Sequence, residues 1–162
     1  MYRCGVGVVI EKGCKIGDKT YLGNYCVLKK RTIIGKNTVV GHLTVFEGDC
    51  KIGDDCLIHA QCHITAGTII EDKVFIAPGY IGANDRRMVH LRRDKVSFNK
   101  KAPIIRYGAR LAIGVLVLPG VEIRRESFIG AGSVVTRNTV PYGKYIGAPA
   151  RFMGFVPEEE RL

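Results

Sequence analysis

The apolar positions of this chain recur every six residues. Counting from Ile10, the positions Ile16, Leu22, Leu28, Ile34, Val40, Phe46, Ile52, Ile58, Ile64, Ile70 and Ile76 follow without a slip. Four residues after each stands a second fixed position, held by Cys14, Thr20, Cys26, Thr32, Thr38, Thr44, Cys50, Cys56, Cys62 and Thr68, then by Val74 and Tyr80. The first position takes bulk and the second takes something small. A helix would repeat near 3.6 residues and a flat strand at 2, so a beat of six predicts very short strands joined by sharp corners. Glycine follows the large residue at Gly17, Gly23, Gly35, Gly41 and Gly53, where a tight corner would use its permissive dihedrals. Three hexads close one triangular coil, and stacked coils pair strand on strand at about 4.8 Å in a parallel β-prism. The predicted class is all-β.

A second frame runs from Ile105 through Leu111, Val117, Ile123, Ile129 and Val135, with Ala109, Val115, Val121, Ser127, Ser133 and Thr139 in the smaller position. Ile105 does not fall in step with Ile76, so the prism must be interrupted. The pattern predicts one domain: coils over about 4–82 and 105–140, a protruding loop over about 83–104, and a C-terminal segment over 141–162. An excursion of that length within a compact domain is usually functional or disordered.

The stretch CKIGDDCLIHAQCH, residues 50–63, resembles a metal site or a disulfide ladder when taken alone. The repeat accounts for it better. Cys14, Cys26, Cys50, Cys56 and Cys62 share one phase, which independent placement would give about once in 1,300 trials. Same-face pairs such as Cys14 with Cys50 lie two coils apart, about 9.6 Å, beyond the reach of a disulfide. A reduced core with six free thiols and no metal is expected.

Composition adds a partner class. A formal charge of +10 points to phosphate-bearing ligands, without choosing among nucleic acid, nucleotide or anionic surface. The loop holds Arg86, Arg87, Arg92, Arg93, Lys95, Lys100 and Lys101 against Asp85 and Asp94, and so carries much of that surplus. The opening residues MYRCGVGVVI have no signal-peptide layout and no apolar run approaches bilayer length, so a cytoplasmic protein is expected, with no membrane partner. No nucleic-acid-binding motif is present.

The repeat, with IGAGSVVTRNTVPYGKYIGAPARFMG at residues 129–154, resembles the hexapeptide-repeat acyltransferases, which fold as left-handed parallel β-helices. Within that superfamily, TAGTIIEDKVFIAPGYIGAND at residues 65–85, the basic loop and APIIRYGARLAIG are most similar to the N-acetyltransferases acting on nucleotide-linked amino sugars. The resemblance implies left-handed winding, a homotrimer, acetyl-CoA as co-substrate in a groove between subunits, and a nucleotide sugar beside the loop. It implies CoA contacts from Arg137 and Arg151, with Gly130 and Ala131 small enough for a close approach by the pantetheine arm. It also implies that Asn84 lies near the reacting groups, with Asp85, Arg86 and Arg87 on the acceptor; the subgroup's Thr-Asn-Asp is here Ala83, Asn84 and Asp85. Asn or Asp at a loop start is also ordinary turn chemistry.

His59 and His63 fall in phases that the repeat leaves outside the prism, and His63 lies one coil below Ile81, just before Asn84. Either imidazole is a candidate base, His63 the better placed. Three other activities fit the same architecture. Sugar O-acetylation differs only in the acceptor atom. A γ-class carbonic anhydrase would need paired zinc histidines, and Glu47 stands where the partner of His42 would be. A non-catalytic scaffold would bind no acetyl-CoA.

Overall fold

A computed structural model describes all residues, 1–162. Strands of two residues stack in three parallel sheets, the faces of a triangular column. The first face begins with Arg3–Cys4, the second with Val9–Ile10 and the third with Lys15–Ile16. Partners on each face are 18 residues apart, as in Arg3 with Tyr21, one coil per three hexads. This is the left-handed parallel β-helix class. No helix is long and apolar enough to cross a membrane.

Bulk fills the column from all three sides. Leu22, Ile58 and Ile76 on the first face, Leu28, Phe46 and Ile64 on the second, and Ile34, Ile70 and Ile105 on the third are buried in one continuous core. Burying each such side chain stabilises by about 1.5–3 kcal/mol. Ile10, in the same frame, is 39% exposed because no coil lies beneath the first one.

The second inward position often supplies a hydrogen-bond donor as well as small size, although Val74, Ala109, Val115 and Val121 fill it without one. Thr20 Oγ1 donates to the Gly35 carbonyl at 2.6 Å, Thr38 to Gly53 at 2.9 Å and Thr44 to His59 at 2.9 Å. The thiols of Cys26, Cys56 and Cys62 reach the carbonyls of Gly41, Glu71 and Ala77 in the same way. Each bond joins a coil to the corner of the next, 15 residues on. Cysteine and threonine recur because both are compact and both satisfy a buried carbonyl. All six cysteines are free thiols.

The recurrent glycines have a different cause from the one expected. Gly17, Gly23, Gly35, Gly41 and Gly53 do not adopt left-handed dihedrals. A Cβ on Gly23 would stand 2.6 Å from the His42 amide nitrogen, and one on Gly53 2.6 Å from that of Asp72. They permit stacked backbones to touch. The left-handed residue of each corner comes two places later and is often not glycine, as at Lys19, Asn37, Asp55 and Gln61.

The chain leaves the column after Ile81–Gly82 and returns at Ile104–Ile105. Across this excursion the partner spacing rises to 35, as in Phe75 with Arg110, and then reverts to 18 in Arg110 with Phe128. The interruption leaves the pairing frame intact. An antiparallel hairpin, Gly143–Gly147 with Ala150–Phe155, closes the top over the first face.

Candidate functional site

The loop leaves at the edge between the second and third faces, and short bonds define its root. Asn84 Nδ2 donates to the Ala66 carbonyl of the coil below at 3.0 Å, and its own carbonyl accepts the Lys101 amide at 2.9 Å. Asp85 pairs with Lys100 across the neck, while its Oδ1 accepts the amides of Arg87 at 3.0 Å and Met88 at 2.9 Å. Asp85 therefore opens the turn, and one oxygen of its carboxylate is committed to that work. Arg86 Nε reaches the Pro119 carbonyl at 3.4 Å. Val89 is buried under the loop, while Arg93 and Lys100 flank the ring of Phe98 at 5.3 and 5.5 Å.

None of the seven basic side chains of the loop enters an ion pair. Their charge is left for a ligand. Two clefts lie against the arginines of the loop. One of about 300 Å³ is lined by Asp85, Arg86, Arg87, Ser97, Asn99 and Lys101. The other, about 470 Å³, is lined by Ala83, Asp85, Arg86, Met88, Leu118, Pro119 and Thr136. It climbs the edge from the loop root through two further coils to Thr136, the neighbour of Arg137. Arg137 is exposed and unpaired, two coils above Asn84 on the same edge, about 9.6 Å along the axis. A third cleft, about 450 Å³, lies at the edge between the third and first faces. There Arg106 is held between Glu71 at 2.7 Å and Glu122 at 2.6 Å. Its central charge is already matched, so the loop edge is the better anion site.

The remaining candidate residues divide between the two edges of the second face. His63 occupies an outward position on that face, half-buried between Val45 and Ile81, one coil below the strand that leads to Asn84. His59 lies at the opposite edge with its ring against Phe75, centroids 5.2 Å apart, and is not brought to Asn84. His42 Nδ1 accepts the Asn24 amide at 2.8 Å. No three His, Cys, Asp or Glu side chains of the chain converge as metal ligands. Gly130 is buried under the hairpin, where a Cβ would stand 2.7 Å from Ile146 Cγ1. Ala131 beside it is exposed, and Arg151, opposite Ile146 in the hairpin, is exposed and unpaired. Arg137 and Arg151 thus stand near the top of the column on either side of the second face.

Leu118, Pro119 and Thr136 escaped sequence reasoning. Leu118 and Thr136 stack above Ala83 and Pro119 above Asn84, but finding them requires the spacing of 35 across the loop, which the repeat does not state.

Models of the bacterial transferase hexapeptide (six repeats) match residues 31–66 and 49–79, and that of the hexapeptide repeat of succinyl-transferase matches 108–137. The two matched stretches, 31–79 and 108–137, carry hexapeptide repeats over just under half of the chain. Among curated proteins, a galactoside O-acetyltransferase of Lactococcus lactis is 46% identical over 57 residues, covering 33% of this chain and 27% of that protein. The first of the matched curated relatives is covered over only 21% of its length. Among solved structures, one from Bacillus cereus named as an acetyltransferase superposes with a TM-score of 0.67 at 20% identity, covering 99% of this chain and 87% of that one. AntD, an N-acyltransferase from Bacillus cereus in complex with dTDP and coenzyme A, gives a TM-score of 0.53 at 17% identity, covering 97% and 85%. These superpositions establish the shared fold.

Proposed function

We propose that this protein transfers an acetyl group from acetyl-CoA to the amino group of a nucleotide-linked amino sugar. The observation that carries the reading is the cleft that climbs from the root of the basic loop to the unpaired Arg137. It joins a candidate reacting end, at Asn84, to a candidate phosphate contact along one edge. The partial matches to acetyltransferases, and coenzyme A in the AntD complex, support the donor. The dTDP in the same complex supports a nucleotide on the acceptor. In an assembly of three copies, a neighbouring column would close the open side of this cleft, and the outward column Val9, Val27, Val45, Ile81, Leu116 and Val134, interrupted by His63, offers a largely apolar face for that contact.

The chemistry asks little covalent work of the protein. The amine lone pair attacks the thioester carbonyl, a tetrahedral oxyanion forms, and CoA thiolate leaves. Asn84 has its amide fixed by Ala66, which holds the residue in place near the attack. His63 is positioned to take a proton if the acceptor arrives as an ammonium. Arg86, Arg87 and Lys101 line the smaller cleft and suit a diphosphate. Arg137 and Arg151 are the candidates for the phosphates of CoA.

The test is incubation with acetyl-CoA and dTDP-4-amino-4,6-dideoxyglucose, the sugar in another AntD complex, with products followed by mass. An acetylated amine that survives mild alkali supports the reading. Free CoA formed only with a galactoside, and an alkali-labile ester, would favour the second reading, O-acetylation, to which the Lactococcus lactis similarity points. Absence of any acetyl-CoA binding by calorimetry refutes both.

A further inference from the structure

From Val8 onward, every strand but one carries its two inward side chains in the same order: a residue no larger than valine, then an aliphatic or aromatic one two places later, as in Cys26 and Leu28 or Thr44 and Phe46. The strand Ile81–Gly82, from which the loop departs, reverses that order. Tyr80 fills the smaller position, fully buried, and Gly82 stands where the large side chain belongs. A Cβ on Gly82 would lie 2.8 Å from the Tyr80 hydroxyl and 3.4 Å from Cε1 and Cζ of its ring. The phenol therefore runs beneath the Gly82 backbone and takes up the volume that residue 82 leaves vacant.

Elsewhere the chain rounds a corner and plugs the core again with the next small residue. Here it does not return to the column until Ile104. The segment between is held at its root by Ala83 donating to the Val117 carbonyl above at 3.0 Å, by Asn84 donating to Ala66 below, and by Lys101 donating to Asn84. A strand end without an inward side chain of its own would be free to rise or sink between those bonds.

We propose that Tyr80 is a positioning residue, its ring forming the floor that fixes the height at which Gly82, Ala83 and then Asn84 leave the column. The ring carries this role. The hydroxyl is the one buried side-chain polar atom without a hydrogen-bond partner, and replacing it costs the floor nothing. For its effect on turnover the inference rests on the reading of Asn84 given above; for its effect on the loop it does not.

The experiment restores the ordinary order with the double substitution Tyr80→Thr and Gly82→Ile, and compares it with Tyr80→Phe. Amide exchange at Lys101, which reports the bond to Asn84, should accelerate roughly tenfold in the double variant while Leu57 in the column below is unchanged. With acetyl-CoA and the amino sugar above, kcat should fall roughly a hundredfold at constant KM for acetyl-CoA. Tyr80→Phe should match the parent in both readouts. Unchanged Lys101 exchange in the double variant overturns the proposal. Faster exchange with full turnover would keep the floor and remove Asn84 from the chemistry instead. If the double variant does not fold, Tyr80→Leu, which shortens the floor but leaves an apolar plug, is read by the same criteria.

Discussion

Thr38 offers a direct test of the inward ladder. Its hydroxyl donates to the Gly53 carbonyl at 2.9 Å and accepts the Cys56 amide at 3.1 Å, and the residue is fully buried. Thr38→Val keeps the shape and removes both bonds, leaving a carbonyl and an amide without these partners inside the column. Each orphaned group costs about 1–3 kcal/mol, so the substitution should cost about 2–6 kcal/mol. Thr38→Ser keeps the hydroxyl and loses one methyl, about 1 kcal/mol. For a domain of this size, each kcal/mol lowers Tm by about 2–4 °C, so the valine variant should melt well below the serine variant. Urea denaturation and thermal melts at matched protein concentration measure the order. A packing-only view, in which the position merely wants a small apolar residue, predicts the reverse. A valine variant as stable as the parent, or more stable than the serine variant, would refute the donor requirement.

Four further outcomes are expected. Burial holds the Cys50 and Cys56 thiols up at about 11, so at pH 8 a thiol reagent should label exposed Cys4 quickly and leave these two unmodified until unfolding reveals all six. Burial raises Glu71, but the Arg106 guanidinium and the Tyr107 amide outweigh it and hold the carboxyl below its ordinary 4.5. A carboxylate depressed in the folded state stabilises above its unfolded pKa and loses that contribution as pH falls through the folded one. Glu71→Gln should therefore be less stable than the parent at pH 7, and acid titration should bring the two together only once the pH has fallen below the ordinary carboxylate range. Gly23→Ala drives a Cβ into the His42 backbone and should destabilise far more than Gly132→Ala, which meets nothing within 4 Å and bears only left-handed strain of about 1–2 kcal/mol; melting of the pair checks the ranking. Arg137→Ala should weaken acetyl-CoA binding about tenfold or more by calorimetry with unchanged Tm, since a charge-assisted phosphate contact contributes about 1.5–3 kcal/mol.

The column was legible because its repeat is a geometric statement: Leu28, Ile34 and Val40 fall on three successive faces by counting alone, and they are buried there. The count could not say why the second position favours Cys and Thr, since a hydrogen bond to a carbonyl 15 residues on becomes visible only once coils stack. It misattributed Gly23 and Gly53 for the same reason, because the clash lies with the next coil and not within the corner. At the candidate site, Asn84 and the loop charges were readable as types, whereas the separation of His59 from His63 across a face required knowing which way each corner turns. That Gly130 also lies against Ile146 of the hairpin was hidden, because the hairpin stands outside the six-residue count.

Because pairing resumes in register after the jump from 18 to 35, the loop behaves as a parenthesis in the winding. Its length is invisible to the scaffold on either side. A segment of other size or charge could be grafted between Ala83 and Pro103 without rewriting a single rung, so what the loop recognises can diverge while the column that carries it stays as it is.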